Sequence, residues 1–177
     1  MCATSASADA TLLAGIRILV VEDSANMRRL LTALLTTMGI GDIRCADNGE
    51  AGLVLFHEMR PDLVITDGMM QPMSGYAMTR AIRAMRDAED KPHYLADVPV
   101  LMLSGHNEPD IIEWARDEGV TEYIVKPVTP ELLYERVLNA IKSPLHIVET
   151  DTYRGPSPRR RLVPQWADIP QPGPAKP

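Results

Sequence analysis

Residues 18–39 read ILVVEDSANMRRLLTALLTTMG, and two different periodicities meet inside them. Ile18, Leu19, Val20 and Val21 form a continuous apolar run without the alternation of a half-exposed strand. Such a run belongs to a strand covered on both faces. Beyond it, Met27, Leu30, Leu31, Leu34, Leu35 and Met38 fall at i, i+3, i+4, i+7, i+8 and i+11, one apolar stripe on a helix that Gly39 can end. A buried strand, an acidic loop and an amphipathic helix make one unit of an α/β fold.

The unit recurs along the chain. Residues 63–66, 100–103 and 123–125 are further short apolar runs, and residues 42–46 form a weaker fifth strand. Between them the pattern turns helical: from an Asn48 cap through Phe56, with Pro61 forbidding continuation; over 76–85; and over 110–118, closed by Gly119. A last helix opens with Thr129-Pro130-Glu131, an N-cap, an N1 proline and an acidic first turn, and carries Leu132, Leu133, Val137, Leu138 and Ile141. Five alternating strands and helices predict a small doubly wound parallel sheet, for which the flavodoxin-like strand order is 2-1-3-4-5.

Composition sets the rest of the frame. The 177 residues are too few for two full domains, while 45% apolar and 24% charged residues suffice for one buried core. The division expected is a flexible N-terminus over 1–14, a folded domain over 15–142 and a Pro/Arg-rich tail over 143–177, extended or disordered because it holds eight of the fifteen prolines. The tail has five basic and three acidic residues, so a net charge of -6 for the whole chain puts -8 on the first 142 residues. That charge and an aromatic content of 5% argue against DNA as a partner. Two cysteines, Cys2 and Cys45, give no disulfide framework, and neither an export leader nor a membrane-length apolar run is apparent. A soluble cytoplasmic protein is expected.

In a doubly wound sheet, chemistry belongs at the carboxyl ends of the strands. There the sequence places Glu22 and Asp23 after the first strand, Asp67 after the third, Ser104-Gly105 after the fourth and Lys126-Pro127 after the fifth. Three converging carboxylates call for a cation, and hard oxygen ligands suit Mg2+. A carboxylate nucleophile, a cation site, a hydroxyl and a lysine together suit phosphoryl handling.

At these residues the chain resembles a response regulator receiver domain of the single-domain chemotaxis (CheY-like) type. The resemblance rests on ILVVEDSANMRRLL, LVITDGMMQPMSG, VPVLMLSGH and EYIVKPVTPELL, and covers roughly 15–142. It implies that Asp67 accepts a phosphoryl group from a histidine kinase or phosphotransfer protein, forming an aspartyl phosphate. By the same resemblance Glu22, Asp23, Asp67 and the Met69 backbone carbonyl hold Mg2+, Ser104 and Lys126 contact the phosphoryl oxygens, and Tyr123 is the switch aromatic that turns inward. It further implies a cis Lys126-Pro127 bond and a downstream target bound through the fourth predicted helix, the fifth strand and the fifth predicted helix. Such a protein is a signalling receiver with self-phosphorylation and self-dephosphorylation only, not an enzyme in the ordinary sense. Three departures stand out: Glu22 where aspartate is commoner, Pro72 one place late with Gln71 before it, and a long connection over 87–97.

A phosphatase of the haloacid type also uses a nucleophilic aspartate but needs a second aspartate two places on, where this chain has Met69. A second alternative assigns ligand binding to the tail, where Arg154, Arg159, Arg160 and Arg161 precede Trp166 and Asp168. Guanidinium, an aromatic ring and a carboxylate can read guanine and phosphate, and resemblance to arginine-rich tails of some chemotaxis-type receivers implies cyclic di-GMP as a candidate. A solvated linker, or one drawn to an acidic protein surface, is the plainer reading of the same residues.

Overall fold

The computed structural model describes residues 3–85, 93–142, 147–150 and 153–156. In chain order the elements are α1 (Ala3–Ala14), β1 (Arg17–Val21), α2 (Ala25–Thr37), β2 (Asp42–Ala46), α3 (Gly49–Met59), β3 (Leu63–Asp67), α4 (Gly75–Ala84), β4 (Val100–Ser104), α5 (Pro109–Asp117), β5 (Glu122–Val125), α6 (Pro130–Lys142), β6 (Ile147–Thr150) and β7 (Tyr153–Pro156). Five parallel strands form one sheet in the order β2-β1-β3-β4-β5, as expected from the sequence. Its register sets Val21 opposite Thr66, Asp67 opposite Leu103 and Ser104 opposite Val125, so successive strands end at one level.

Strand alternation sorts the apolar side chains into two layers. Ile18, Val20, Leu63, Ile65, Leu101, Leu103 and Ile124 face α2 and α6, where Leu31, Leu35, Leu133 and Val137 are also fully buried. Leu19, Val21, Val64 and Val100 point the other way, against Phe56 of α3 and Met78 and Ile82 of α4. Both faces being dry explains why these strands read as unbroken apolar runs. The helices start where the sequence supplies caps: Ser24, Asn48 and Ser74 each accept the amide of the residue three places on, and Thr129 does the same for Leu132.

Two expectations need correction. Among the described residues there are six α-helices rather than five, because residues 3–14, read as a flexible N-terminus, form α1. Alanine-rich ATSASADATLLA has high helix propensity, and Leu13 and Ile16 seal the apolar layer beneath α6, whose last residue Lys142 pairs with Asp9. The connection before β4 contains a 3-10 turn over His93–Asp97. In the tail, β6 and β7 pair antiparallel and β7 lies against α5. Proline is tolerated there because each strand is an edge. Among the described residues no helix is long and apolar enough to cross a membrane.

Candidate functional site

Asp67 and Ser104 close β3 and β4, while Glu22 and Lys126 stand one residue past β1 and β5, and the strand ladder reaches this level. The Glu22 amide donates to the Ala46 carbonyl, the Gly68 amide to Leu103 and the Lys126 amide to Ser104, at 3.1, 2.9 and 2.7 Å. Glu22, Asp67, Ser104 and Lys126 are thereby fixed by the sheet rather than by mobile loops. Arg28, one turn into α2, donates to the carbonyls of Glu22 at 2.6 Å and Asp23 at 2.9 Å, pinning the acidic loop.

At the centre, Lys126 Nζ lies 2.9 Å from Asp67 Oδ2 and 3.1 Å from Glu22 Oε2. Glu22 is buried, Asp67 partly so and Asp23 exposed. Each of the three offers a carboxylate oxygen within 4.8 Å of the others. With one lysine against three carboxylates, the cluster keeps two uncompensated negative charges, and its donors are all hard oxygens. That is the donor chemistry of a small divalent cation, so the residues fit Mg2+. Burial holds the Glu22 carboxyl above its ordinary value, the Lys126 hydrogen bond opposing this in part. Burial also pulls Lys126 downward, but hydrogen bonds to Asp67 and Glu22 outweigh it, and the ammonium is held above its usual range.

Ser104 and Tyr123 adjoin this cluster. Ser104 is buried, and its hydroxyl accepts the His106 amide at 3.1 Å. Tyr123 is buried as well, with its hydroxyl donating to the His106 carbonyl at 3.1 Å. The phenol is thus already inside, and burial pushes its pKa far upward. His106 itself is an exposed loop side chain within 3.6 Å of Glu108. Met69, 61% exposed, donates its amide to Asp67 Oδ1 at 3.2 Å, while Met70 is core. Both Gln71-Pro72 and Lys126-Pro127 are cis peptides, the second as expected.

The structure therefore brings Glu22, Asp23, Asp67, Ser104, Tyr123 and Lys126 to one sheet edge. Of the tail residues, Arg154 belongs to β7, and Arg159, Arg160, Arg161, Trp166 and Asp168 lie outside the described residues. Sequence reasoning missed Arg28, whose helical position carries no signal of its target. It also missed why Gly75 follows the loop after Asp67. A Cβ there would overlap the Asp67 carbonyl oxygen and stand 2.6 Å from the Thr66 hydroxyl, so α4 starts in contact with the chain that bears Asp67. The SG pair before the helix was the available clue.

Residues 18–138 match the family model described as the response regulator receiver domain. The chemotaxis protein CheY of Pseudomonas aeruginosa is 35% identical over 121 residues, which are 68% of this chain and 92% of that one. The probable transcriptional regulator ycf27 of Porphyra purpurea is 32% identical over 126 residues, 71% of this chain but only 47% of the longer relative. Among solved structures, a response regulator receiver domain protein from Clostridium thermocellum has 31% identity and a TM-score of 0.61, and the match covers 72% of this chain and 94% of that one.

Proposed function

The chain belongs to the response regulator receiver family of two-component signalling, and from that premise we propose that it is a phosphorylation-controlled switch with Asp67 as phosphoacceptor. The observation that carries this is the Asp67 carboxylate at the end of β3, in contact with the Lys126 ammonium and within 4.8 Å of the Glu22 and Asp23 oxygens.

In the proposed reaction an Asp67 oxygen attacks the phosphorus of a phosphohistidine on a kinase or phosphotransfer protein. The new P–O bond forms as the P–N bond breaks, and the departing imidazole keeps the electron pair and takes a proton. Lys126 is already within reach of both Asp67 and Glu22, so its charge can follow the phosphoryl oxygens without a long excursion. Glu22, Asp23, Asp67 and the Met69 carbonyl would hold Mg2+, which when bound supplies positive charge against those oxygens. The Ser104 hydroxyl offers a further hydrogen bond. Hydrolysis reverses the state: water attacks phosphorus, the acyl P–O bond breaks and the Asp67 carboxylate returns. Tyr123, joined to the loop before α5 through His106, transmits the change to α5, β5 and α6. Half-exposed Trp114 on α5 and Tyr134 on α6 favour that face as the one that meets a protein target.

Labelled acetyl phosphate with Mg2+ tests the assignment. One acid-stable, hydroxylamine-labile phosphoryl group per chain is expected, and none in Asp67→Asn. Label retained by Asp67→Asn at the wild-type stoichiometry would reject it.

A further inference from the structure

Tyr76, the second residue of α4, carries a phenol whose hydroxyl is buried and has no hydrogen-bond partner. A buried hydroxyl without a partner is disfavoured, and Phe in the same space would avoid that cost. The surroundings are nonetheless shaped to keep the ring. A Cβ on Gly68, the residue after the nucleophile, would stand 3.0 to 3.2 Å from the Tyr76 ring and its oxygen, so any larger residue there would crowd the phenol. On its other side the ring packs against Trp114 of α5, centroids 4.4 Å apart. Tyr76 and Tyr123 share one buried cluster with Met102, Ile112, Ala115 and Val120. The two phenols are electrostatic neighbours without the geometry of a hydrogen bond, and Ser104 is the other hydroxyl beside the Tyr123 oxygen.

We infer that Tyr76 is a third member of the switch, whose hydroxyl donates to the Tyr123 oxygen once Ser104 has turned to a phosphoryl group on Asp67. This rests on the phosphoacceptor reading above. Ser104 accepts from the His106 amide and has one proton of its own, while Tyr123 spends its proton on the His106 carbonyl. A Ser104 proton given to phosphate cannot also serve the Tyr123 oxygen. The Tyr76 proton has no other use and lies beside that oxygen. The exchange would link α4, β5 and the loop before α5 in one chain of hydrogen bonds, and the Trp114 contact carries it to the surface of α5. Tyr76 touches neither phosphate nor metal, so its role is positioning.

The test compares full-length wild type with Tyr76→Phe, which keeps the ring, by calorimetric titration of beryllofluoride in excess Mg2+ and by urea unfolding without it. The inference expects the variant to be no less stable at rest, yet to bind beryllofluoride about 3- to 10-fold more weakly, the worth of one net hydrogen bond made only in the activated state. A merely structural tyrosine would shift the urea midpoint and leave that affinity unchanged. Equal affinities within twofold, or tighter binding by the variant, would overturn the inference while leaving Asp67 in place. Failure of the wild type itself to bind beryllofluoride would overturn both.

Discussion

Lys126 pairs with two of three carboxylates that would otherwise repel one another, and its removal isolates that contribution. Lys126→Met should lower stability by about 2 kcal/mol in urea unfolding, less than for a fully buried pair because the lysine is partly exposed. Added Mg2+ should then raise the variant's midpoint more than that of the wild type, since the cation replaces the lost charge and binds the folded state only. Unequal stability with equal Mg2+ response would count against a shared site. Proton competition follows from the raised Glu22 carboxyl. Because protonated Glu22 cannot ligate, Mg2+ affinity should begin to fall while the pH is still above 4.5, the ordinary glutamate value. In the metal-free protein the sign reverses: a folded-state pKa above the unfolded one stabilises the fold at low pH, and that contribution is lost as pH rises through the folded value. Calorimetric Mg2+ titrations and urea midpoints between pH 4 and 7 check the two slopes. These acidic and basic groups were legible in the sequence because each follows an apolar run whose end the fold class assigns to chemistry. Arg28 and Tyr76 were not, since a helical stripe says which face is buried but not which loop or hydroxyl it meets.

Among the elements, α4 depends on two contacts that sequence spacing hides. Gly75 lets its first turn touch the Asp67 peptide, and Gly75→Ala should cost about 1–3 kcal/mol, the usual penalty of overpacking, or more because backbone rather than a flexible side chain is in the way. Phosphorylation should fall with stability in that variant, the displaced atom being the carbonyl oxygen of Asp67 itself. At the other end Arg83 donates to the Ala96, Val98 and Gly119 carbonyls at 2.7 to 3.0 Å, tying α4 to the 3-10 turn and to the start of β5. Arg83→Leu keeps the apolar stem but leaves three carbonyls without that donor. A loss of about 3 kcal/mol in urea unfolding is expected, with phosphorylation per folded molecule unchanged. A loss under about 1 kcal/mol would show that water replaces the guanidinium. These partners lie 13 to 36 residues away, so only strand order, and not local pattern, could bring them into view. The N-terminal helix was obscured for a related reason: its Leu13 has meaning only beneath α6, at the far end of the domain.

For the whole molecule, the charge asymmetry between domain and tail bears on where β6 and β7 sit. A two-stranded hairpin is marginal alone in water, so the position of β7 against α5 depends on what α5 presents. Its exposed surface holds Asp110, Glu113 and Asp117 beside Trp114, with Arg116 half-buried among them. The tail that carries β7 has more basic than acidic residues. Attraction between charges of this kind at a surface weakens within a Debye length of about 8 Å at physiological salt and about 3 Å at 1 M. Amide exchange of α5 should therefore be slower in the full chain than in one ending at Ser143, and the difference should shrink as salt rises. Held by apolar contact alone, the hairpin would protect α5 equally at all salt concentrations or better at high salt, because salting-out strengthens burial. Removal of the tail should leave labelling of Asp67 unchanged, since β7 touches α5 and the residues around Asp67 lie on other elements. Slower labelling after truncation would mean that the tail reaches the sheet edge as well, and would place the arginines of residues 154–161 in the reaction rather than beside it.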